Sequence, residues 1–194
     1  MHKLRMALIA AAAAGALVAT GAVAASLDSL VIHGAAAKKI HEKYALSIDA
    51  AKKISAACIN FATQKNVAVS VAIMDPWGEM IYFERMDGQG KLNTSTAILK
   101  AKTVLVSRAS SHVAMNQVLE GNRSDFRLGY WNGQFANKGG LPIIVDDQFL
   151  GAIGVGGSNV DEECAQAALE AVVGPQPPLV QNIPARRPGA ANGG

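Results

Sequence analysis

The sequence is poor in charged and aromatic residues: 17% of its 194 residues are charged and 5% are aromatic. The formal net charge is +3, and removal of Lys3 and Arg5 with a cleaved leader lowers it by two, to +1. A chain with so few charges of either sign lacks the basic surface that nucleic-acid binding requires. We therefore expect no nucleic-acid partner.

Cysteine is also scarce, since the chain contains only Cys58 and Cys164 and no C-x-x-C pair. No histidine cluster has the spacing of metal ligands, so a zinc site and a thioredoxin-type redox centre have no support. Each cysteine falls within an amphipathic helical pattern, where cysteine commonly packs as a small apolar side chain. We expect the two to pack separately, and a disulfide is the alternative.

Conventional catalytic motifs are missing as well. The glycines between Gly151 and Gly157 do not follow the order G-x-G-x-x-G of dinucleotide sites, and no Walker lysine comes after them. Serines precede His112, but the chain has no G-x-S-x-G elbow. The glycine run therefore indicates either an anion cradle or a tight crossing from a strand to a helix.

Long apolar runs are confined to the N-terminus. A positively charged start with Lys3 and Arg5 precedes an apolar run from Met6 to Val18 and the small residues Ala22-Val23-Ala24, the order of a signal peptide. The run is shorter than the roughly 20 residues of a membrane-spanning helix, which disfavours the alternative of a retained anchor. We expect a secreted or periplasmic protein with no stable membrane insertion after cleavage.

Composition changes divide the chain into four segments. We expect a signal peptide at residues 1–25, an N-terminal lead-in at 26–45, one folded domain at 46–174 and a disordered tail at 175–194. The tail is rich in proline and glycine, and proline lacks the backbone N–H that regular structure uses. The domain is long enough to bury a core of its own.

The first half of the domain is predicted to contain a helix followed by a β-hairpin. Ser47 is a typical N-cap, and apolar residues recur after it at three- and four-residue steps. Residues 67–74 and 79–84 alternate between apolar and polar, and the four residues 75–78 between them have proline at the second position of a turn.

The second half is predicted to add three helices and two strands. Asn159-x-x-Glu162 has the form of a capping box that opens the last helix. The predicted elements are helices at 94–107 and 112–119, a long loop at 121–140, strands at 141–145 and 149–155, and a last helix to residue 173. This order predicts a single-domain α+β fold with a central antiparallel sheet covered by helices.

Several sequence blocks carry a family resemblance that extends from Leu46 to Val173. The blocks are Ser70-Val-Ala-Ile-Met-Asp75, Tyr82-Phe-Glu-Arg-Met-Asp-Gly88, Lys100-Ala-Lys-Thr103, Gly139-Gly-Leu-Pro-Ile143, Gly151-Ala-Ile-Gly-Val155 and Asp161-Glu-Glu-Cys-Ala165. In this order they resemble the GlcG/HbpS-like haem-binding family, which is related to the C-terminal domain of PduO-type corrinoid adenosyltransferases. The resemblance implies profilin-like layering, a homo-oligomer, and a haem-binding protein in haem or iron handling or redox sensing.

Haem as a cofactor requires an axial ligand and positive groups for its propionates. His41 is the first candidate for the axial ligand, because it lies on a predicted helix beside Lys38 and Lys39. The alternative is that His41 is an exposed polar residue on a lysine-rich helix. Three further residues are candidate cofactor ligands: His33, His112 and Thr103. The Thr103 hydroxyl either approaches an iron or bonds back to a helical carbonyl.

Two other classes of function stay open from the sequence. In the first, an enzyme for a carboxylate or hydroxy-acid substrate uses Arg85 as its anchor, while Asp75, Glu163 or His112 moves a proton. The alternative for Arg85 is a salt bridge to a neighbouring carboxylate. In the second, the domain is a non-catalytic sensor or assembly module, whose loop with Tyr130 and Trp131 meets a partner protein.

Overall fold

The computed structural model describes residues 46–120 and 133–183. Helices and strands follow one another there as in the predicted order, which confirms the α+β fold class. In chain order they are α1 (Ile48–Gln64), β1 (Ser70–Met74), β2 (Met80–Arg85), α2 (Lys91–Ser107), α3 (Ser111–Leu119), β3 (Gly140–Val145), β4 (Gln148–Gly156) and α4 (Asp161–Val173).

The helix α1 begins where its cap was predicted. The Ser47 side chain accepts a hydrogen bond from the backbone N–H of Ala50 at 3.2 Å, which satisfies one of the free donors at the helix start. Ala51, Ile54 and Cys58 follow at three- and four-residue steps and are all buried. The same spacing that predicted the helix therefore forms its buried face.

The hairpin of β1 and β2 is closed by the side chain of Asp75. Its Oδ1 accepts hydrogen bonds from the backbone N–H groups of Trp77 and Glu79, both at 2.9 Å. Gly78 completes the turn with a φ of 95°, which glycine adopts without steric cost. The predicted hairpin is confirmed, and Asp75 has a structural role in it.

The four strands form one antiparallel sheet in the order β2-β1-β4-β3. The helices α1 and α4 cover one face, where their buried side chains pack on Val71, Ile73 and Ile153. The helix α2 covers the other face and packs on Met74 and Ala152. The domain therefore has three layers, with β2 and β3 at opposite edges of the sheet.

The backbone of α2 lies directly on the strand β4. A Cβ atom at Gly154 would collide with the carbonyl oxygen of Ala97, and one at Gly156 would lie 2.5 Å from the carbonyl oxygen of Asn93. Side chains at these two positions would push the helix off the sheet. Close contact between α2 and β4 explains Gly154 and Gly156 of the glycine run, a reason that differs from both the anion cradle and the strand-to-helix crossing.

Cys58 and Cys164 form a disulfide, so the expectation that they pack separately was wrong. Cys58 lies on α1 and Cys164 on α4, and both are fully buried in the larger core. Because the two helices pack side by side on one face of the sheet, the cysteine Cα atoms are 5.0 Å apart. Sequence periodicity predicted that each cysteine lies on the buried face of its helix, but it did not predict that the two buried faces bring the cysteines together.

The start of α4 also differs from the prediction. Val160 is the N-cap residue and supplies no side-chain cap, so the capping box at Asn159 and Glu162 was wrong. Asp161 instead accepts hydrogen bonds from the backbone N–H of Ser158 at 2.8 Å and from its hydroxyl at 3.1 Å. The Glu162 side chain therefore takes no part in capping the helix and instead contacts Ser110 and His112 inside the domain.

The predicted boundary at residue 174 requires a correction for residues 175–183. These residues contain no regular secondary structure, yet they lie against the domain. The Gln176 side chain bonds both backbone groups of Ile144, and Leu179 packs on the main core. Proline removes backbone donors, but it does not prevent side chains from packing. We call residues 175–183 the strap.

Several predictions fall outside the described residues. These are the signal peptide at 1–25, the lead-in at 26–45 with His33, Lys38, Lys39 and His41, the loop residues Tyr130 and Trp131, and the tail at 184–194. Among the helices in the described ranges, none has the length and apolar character needed to cross a bilayer.

Candidate functional site

A buried ion pair joins α2 to the start of α4. The Lys100 ammonium group donates hydrogen bonds to Asp161 Oδ2 at 2.7 Å and to the Val155 carbonyl oxygen at 2.8 Å. The side chains of Lys100 and Asp161 are both almost fully buried. The pair therefore links the helix on one face of the sheet to the helix on the other.

The environment of Lys100 affects its charge in two opposing ways. Burial lowers the pKa of Lys100 below its usual value of 10.5, because a charged ammonium loses water contacts. The negative charge of Asp161 and its hydrogen bond raise the pKa, and Glu162 adds a smaller effect in the same direction. Burial is the larger effect, so the pKa is lowered overall.

A second buried group lies beside this pair, where α3 meets α4. Glu162 accepts hydrogen bonds from Nδ1 of His112 and from the Ser110 hydroxyl, both at 2.9 Å. Ser110 is also the N-cap of α3, and its oxygen accepts from the backbone N–H of His112 at 3.1 Å. One carboxylate therefore holds both the cap and the first turn of the helix.

The ring of His112 has one satisfied and one unsatisfied nitrogen. Its contact with the Glu162 carboxylate assigns a proton to Nδ1, because a carboxylate accepts hydrogen bonds. Nε2 is buried and has no hydrogen-bond partner within residues 46–120 and 133–183. The Ser110 hydroxyl is bonded to the carboxylate rather than to Nε2, so the serine-histidine contact of a hydrolase is absent from these residues.

Glycines allow the segment before β3 to approach both groups. A Cβ atom at Gly139 would lie 2.7 Å from Cβ of Asp161, and one at Gly140 would lie 2.6 Å from the carbonyl oxygen of Lys100. The Ser111 hydroxyl accepts from the backbone N–H of Gly140 at 2.9 Å. The buried polar cluster is formed by Lys100, Asp161, Glu162, Ser110 and His112. Four of the six family blocks contribute to it or contact it, those that begin at Lys100, Gly139, Gly151 and Asp161.

Thr103 lies one turn after Lys100 and is buried. Its hydroxyl donates to the carbonyl oxygen of Leu99 at 2.8 Å and accepts from the backbone N–H of Phe135 at 2.7 Å. Of the two alternatives for Thr103, the structure displays the bond back to the helical carbonyl. The same hydroxyl also fixes the segment that leads to β3 against α2.

The residues of the enzyme hypothesis do not come together. Arg85 is exposed at the end of β2, Glu163 is exposed on α4, and Asp75 closes the hairpin turn, while His112 is buried. Within the described ranges, carboxylates contact the basic side chains of Lys100 and His112, and Arg85 has no such contact there. The neighbouring carboxylate of Glu84 accepts from the Ser55 hydroxyl at 2.6 Å.

A haem needs an axial ligand and an apolar slot. His112 has the chemistry of a metal ligand, because a carboxylate holds one nitrogen and the other is unpartnered. Two cavities lined by described residues have volumes of about 210 and 290 Å³, and His112 lines neither. Sites for drug-sized ligands take about 300–1,000 Å³. These cavities are too small for a haem, and the His112 side chain is fully buried.

Lys100, Asp161 and Glu162 were not predicted as site residues from the sequence. The helical patterns could have identified them, because each is a charged residue on the same helix face as buried apolar residues. Lys100 lies between the buried Ala97 and Ala101, and Asp161 and Glu162 precede the buried Cys164.

A family model described as haem degrading protein HbpS-like matches residues 46–170. Two curated proteins are similar to the chain. A 15.0 kDa protein from the dhaT-dhaS intergenic region of Citrobacter freundii is 30% identical, over 64% of this chain and 90% of that protein. Protein GlcG of Escherichia coli K12 is 29% identical, over 58% of this chain and 82% of that protein.

Solved structures show the same fold. Klebsiella pneumoniae protein ORFY is 27% identical with a TM-score of 0.63, covering 70% of this chain and 96% of that chain. A PduOC:Heme complex is 26% identical with a TM-score of 0.59, covering 66% and 96%. HbpS is 26% identical with a TM-score of 0.61, covering 74% and 99%.

Proposed function

Since the chain belongs to the HbpS-like family of haem-degrading proteins, we propose that it is an exported haem-binding protein with a role in haem or iron handling or in redox sensing. The observation that carries this proposal is the similarity to a solved protein in complex with haem, of which the chain covers 96%. Fold alone does not determine function, and the family description adds the second support.

We place the haem contact in the residues before the domain. His41 is the proposed axial ligand and Lys38 and Lys39 the proposed partners of the propionates, with His33 as the second candidate. The buried position of His112 supports this choice, because its side chain has no surface that a haem could reach from solvent. Thr103 is already engaged by Leu99 and Phe135.

The proposed export has two independent supports. The N-terminal residues have the order of a signal peptide, and the domain contains a disulfide between Cys58 and Cys164. Disulfides persist in the periplasm and outside the cell and are rare in the cytosol. Cell fractionation and the intact mass of the purified protein test this point, since cleavage near Ala25 removes a defined mass.

We also propose that the protein forms a homo-oligomer. Leu92 and Val106 lie on the same side of α2 and are 74% and 66% exposed, which supports a surface that a second copy covers. Multi-angle light scattering of the purified chain measures the number of subunits directly. A monomer at all concentrations contradicts this part of the proposal.

Absorbance spectra of haemin-loaded variants test the proposed ligand. We expect His41→Ala to change the ligand-dependent bands of the bound haem, and His33→Ala to leave them as in the wild type. We expect His112→Ala to keep the wild-type spectrum while it lowers the free energy of unfolding, because it breaks the contact with Glu162.

Circular dichroism provides the control for these spectra. Each variant is compared with the wild type for helix content before haemin is added, so a spectral change is separated from misfolding. If His112→Ala alone alters the bands in a folded protein, His112 and not His41 is the ligand. If no histidine variant alters them, the assignment to a histidine fails.

A further inference from the structure

A cavity of about 210 Å³ lies along the outer edge of β3. Its walls come from β3, from the end of α2, from the start of α3, from Gln166 of α4 and from the strap. Apolar side chains dominate these walls, among them Val113, Leu141, Ile144 and Leu179. We call this space the edge cavity, and the proposed haem contact uses none of the residues named here.

The backbone of β3 has hydrogen-bond partners at both ends of its outer edge and lacks an N–H donor in the middle. Ser111 accepts from the backbone N–H of Gly140, and the Gln176 side chain bonds the N–H of Ile144 at 3.3 Å and its carbonyl at 2.9 Å. Pro142 lies between them and has no N–H. The edge therefore does not require a further strand to pair with it, and the apolar space beside it stays open.

The strap closes this space from outside and is attached at both ends and in between, where the Gln166 side chain of α4 donates to the carbonyl oxygen of Pro177 at 3.3 Å. Gln176 holds one end on β3, and the Asn116 side chain donates to the carbonyl oxygen of Gln181 at 2.9 Å at the other end. Pro177, Pro178 and Leu179 lie between these points and line the cavity. Proline restricts the backbone of the strap, which favours a defined wall.

One cation lines the edge cavity without an acidic partner. Arg108 ends α2 in the left-handed conformation, with a φ of 57°, and its guanidinium lies 4.1 Å from the centre of the Phe149 ring. Within the described ranges, the carboxylates of Asp161 and Glu162 contact Lys100 and His112, and no carboxylate lies within ion-pair distance of Arg108. Arg108 therefore offers an unpaired positive charge beside apolar walls.

We propose that the edge cavity binds a small monocarboxylate with an apolar body of about five or six carbons, whose carboxylate pairs with Arg108. An apolar cavity of about 150 Å³ is known to hold benzene, and one water-sized group occupies about 30 Å³. The edge cavity therefore has room for about seven such groups, which excludes a haem. Apolar walls and one charged group are the usual composition of a small-ligand site.

Binding of hexanoate to the full purified chain tests this proposal, with calorimetry as the readout. We expect saturable binding of hexanoate, and at least fivefold weaker binding of hexanol, which has the same apolar body and no charge. Arg108→Gln is expected to weaken hexanoate binding about five- to tenfold, because a charge-assisted contact at a partly exposed site is lost. Val113→Phe is expected to abolish binding by filling the cavity.

Lys65→Gln is the matched control. Lys65 lies 5.6 Å from the Phe61 ring centre at the far end of α1, so it has a similar cation-ring contact but does not line the cavity. This variant is expected to bind hexanoate as the wild type does. Equal affinity for hexanol and hexanoate, or unchanged affinity in folded Arg108→Gln, overturns the proposal, as does the absence of saturable binding to the wild type. The haem proposal is tested separately by haemin titration, so a failure of hexanoate binding does not count against it.

Discussion

The Glu162 carboxylate holds Nδ1 of His112 at 2.9 Å across 50 residues of sequence. Both side chains are buried, and the same carboxylate also accepts from Ser110. The contact fixes the start of α3 against α4, beside the ion pair of Lys100 and Asp161. This cluster stabilises the junction of elements from both faces of the sheet, which explains why charged residues lie in the core.

Removing Glu162 is expected to destabilise the domain strongly. Glu162→Ala leaves the buried Nδ1–H of His112 and the Ser110 hydroxyl without their acceptor, and each buried donor left unsatisfied costs about 1–3 kcal/mol. The neighbouring Glu163 is exposed, so Glu163→Ala is the control, with an expected change within about 0.5 kcal/mol. Chemical denaturation gives both values, and equal stability of the two variants contradicts the role of Glu162.

The lowered pKa of Lys100 predicts a pH dependence of stability. Between this lowered pKa and 10.5, the unfolded chain binds more protons at Lys100 than the folded chain does, so folding stability rises with pH across this window. We expect the wild type to gain stability relative to Lys100→Met as the pH is raised toward 10.5. Urea denaturation of both proteins at several alkaline pH values measures the difference. A constant or falling difference contradicts the pKa direction.

The disulfide between Cys58 and Cys164 is expected to contribute about 2–4 kcal/mol to the free energy of unfolding, because it closes a long loop in the unfolded chain. Guanidinium denaturation with and without a reducing agent measures this contribution. Since both cysteines are fully buried, the reducing agent should act slowly on the folded protein and fast in denaturant. Rapid alkylation of both thiols after reduction under native conditions contradicts the buried position.

The close contact of α2 with β4 predicts a large cost for Gly154→Ala. Its Cβ atom would collide with the Ala97 carbonyl oxygen, and overpacking of this kind costs about 1–3 kcal/mol. Gly90→Ser is the control, because a Cβ atom there meets nothing within 4 Å and serine is a preferred residue at this N-cap position of α2. Thermal unfolding should show a clear loss for Gly154→Ala and no loss for Gly90→Ser. Similar midpoints for the two variants contradict the contact.

Local elements could be predicted from the sequence because neighbouring residues determine them. The turn at Asp75 and the cap at Ser47 each depend on contacts within four residues. The family blocks also gave the fold class correctly. The disulfide could not be predicted in the same way, because its cysteines are separated by 106 residues and meet only where their two helices pack side by side.

The buried polar cluster depends on the same kind of long-range contact. The partners of Lys100 are 55 and 61 residues away, so helical spacing identifies a buried lysine without its partner. The strap was missed because proline-rich composition predicts the absence of regular structure, and Gln176 and Leu179 nevertheless pack on the domain.

Titration of the purified chain with haemin, followed by absorbance, tests the central claim most directly. Haem binding at a defined site predicts a Soret band that grows to saturation at a fixed ratio of haem to chain. An absorbance that rises without saturation, as for haemin on a nonspecific surface, contradicts haem binding as the function of this protein.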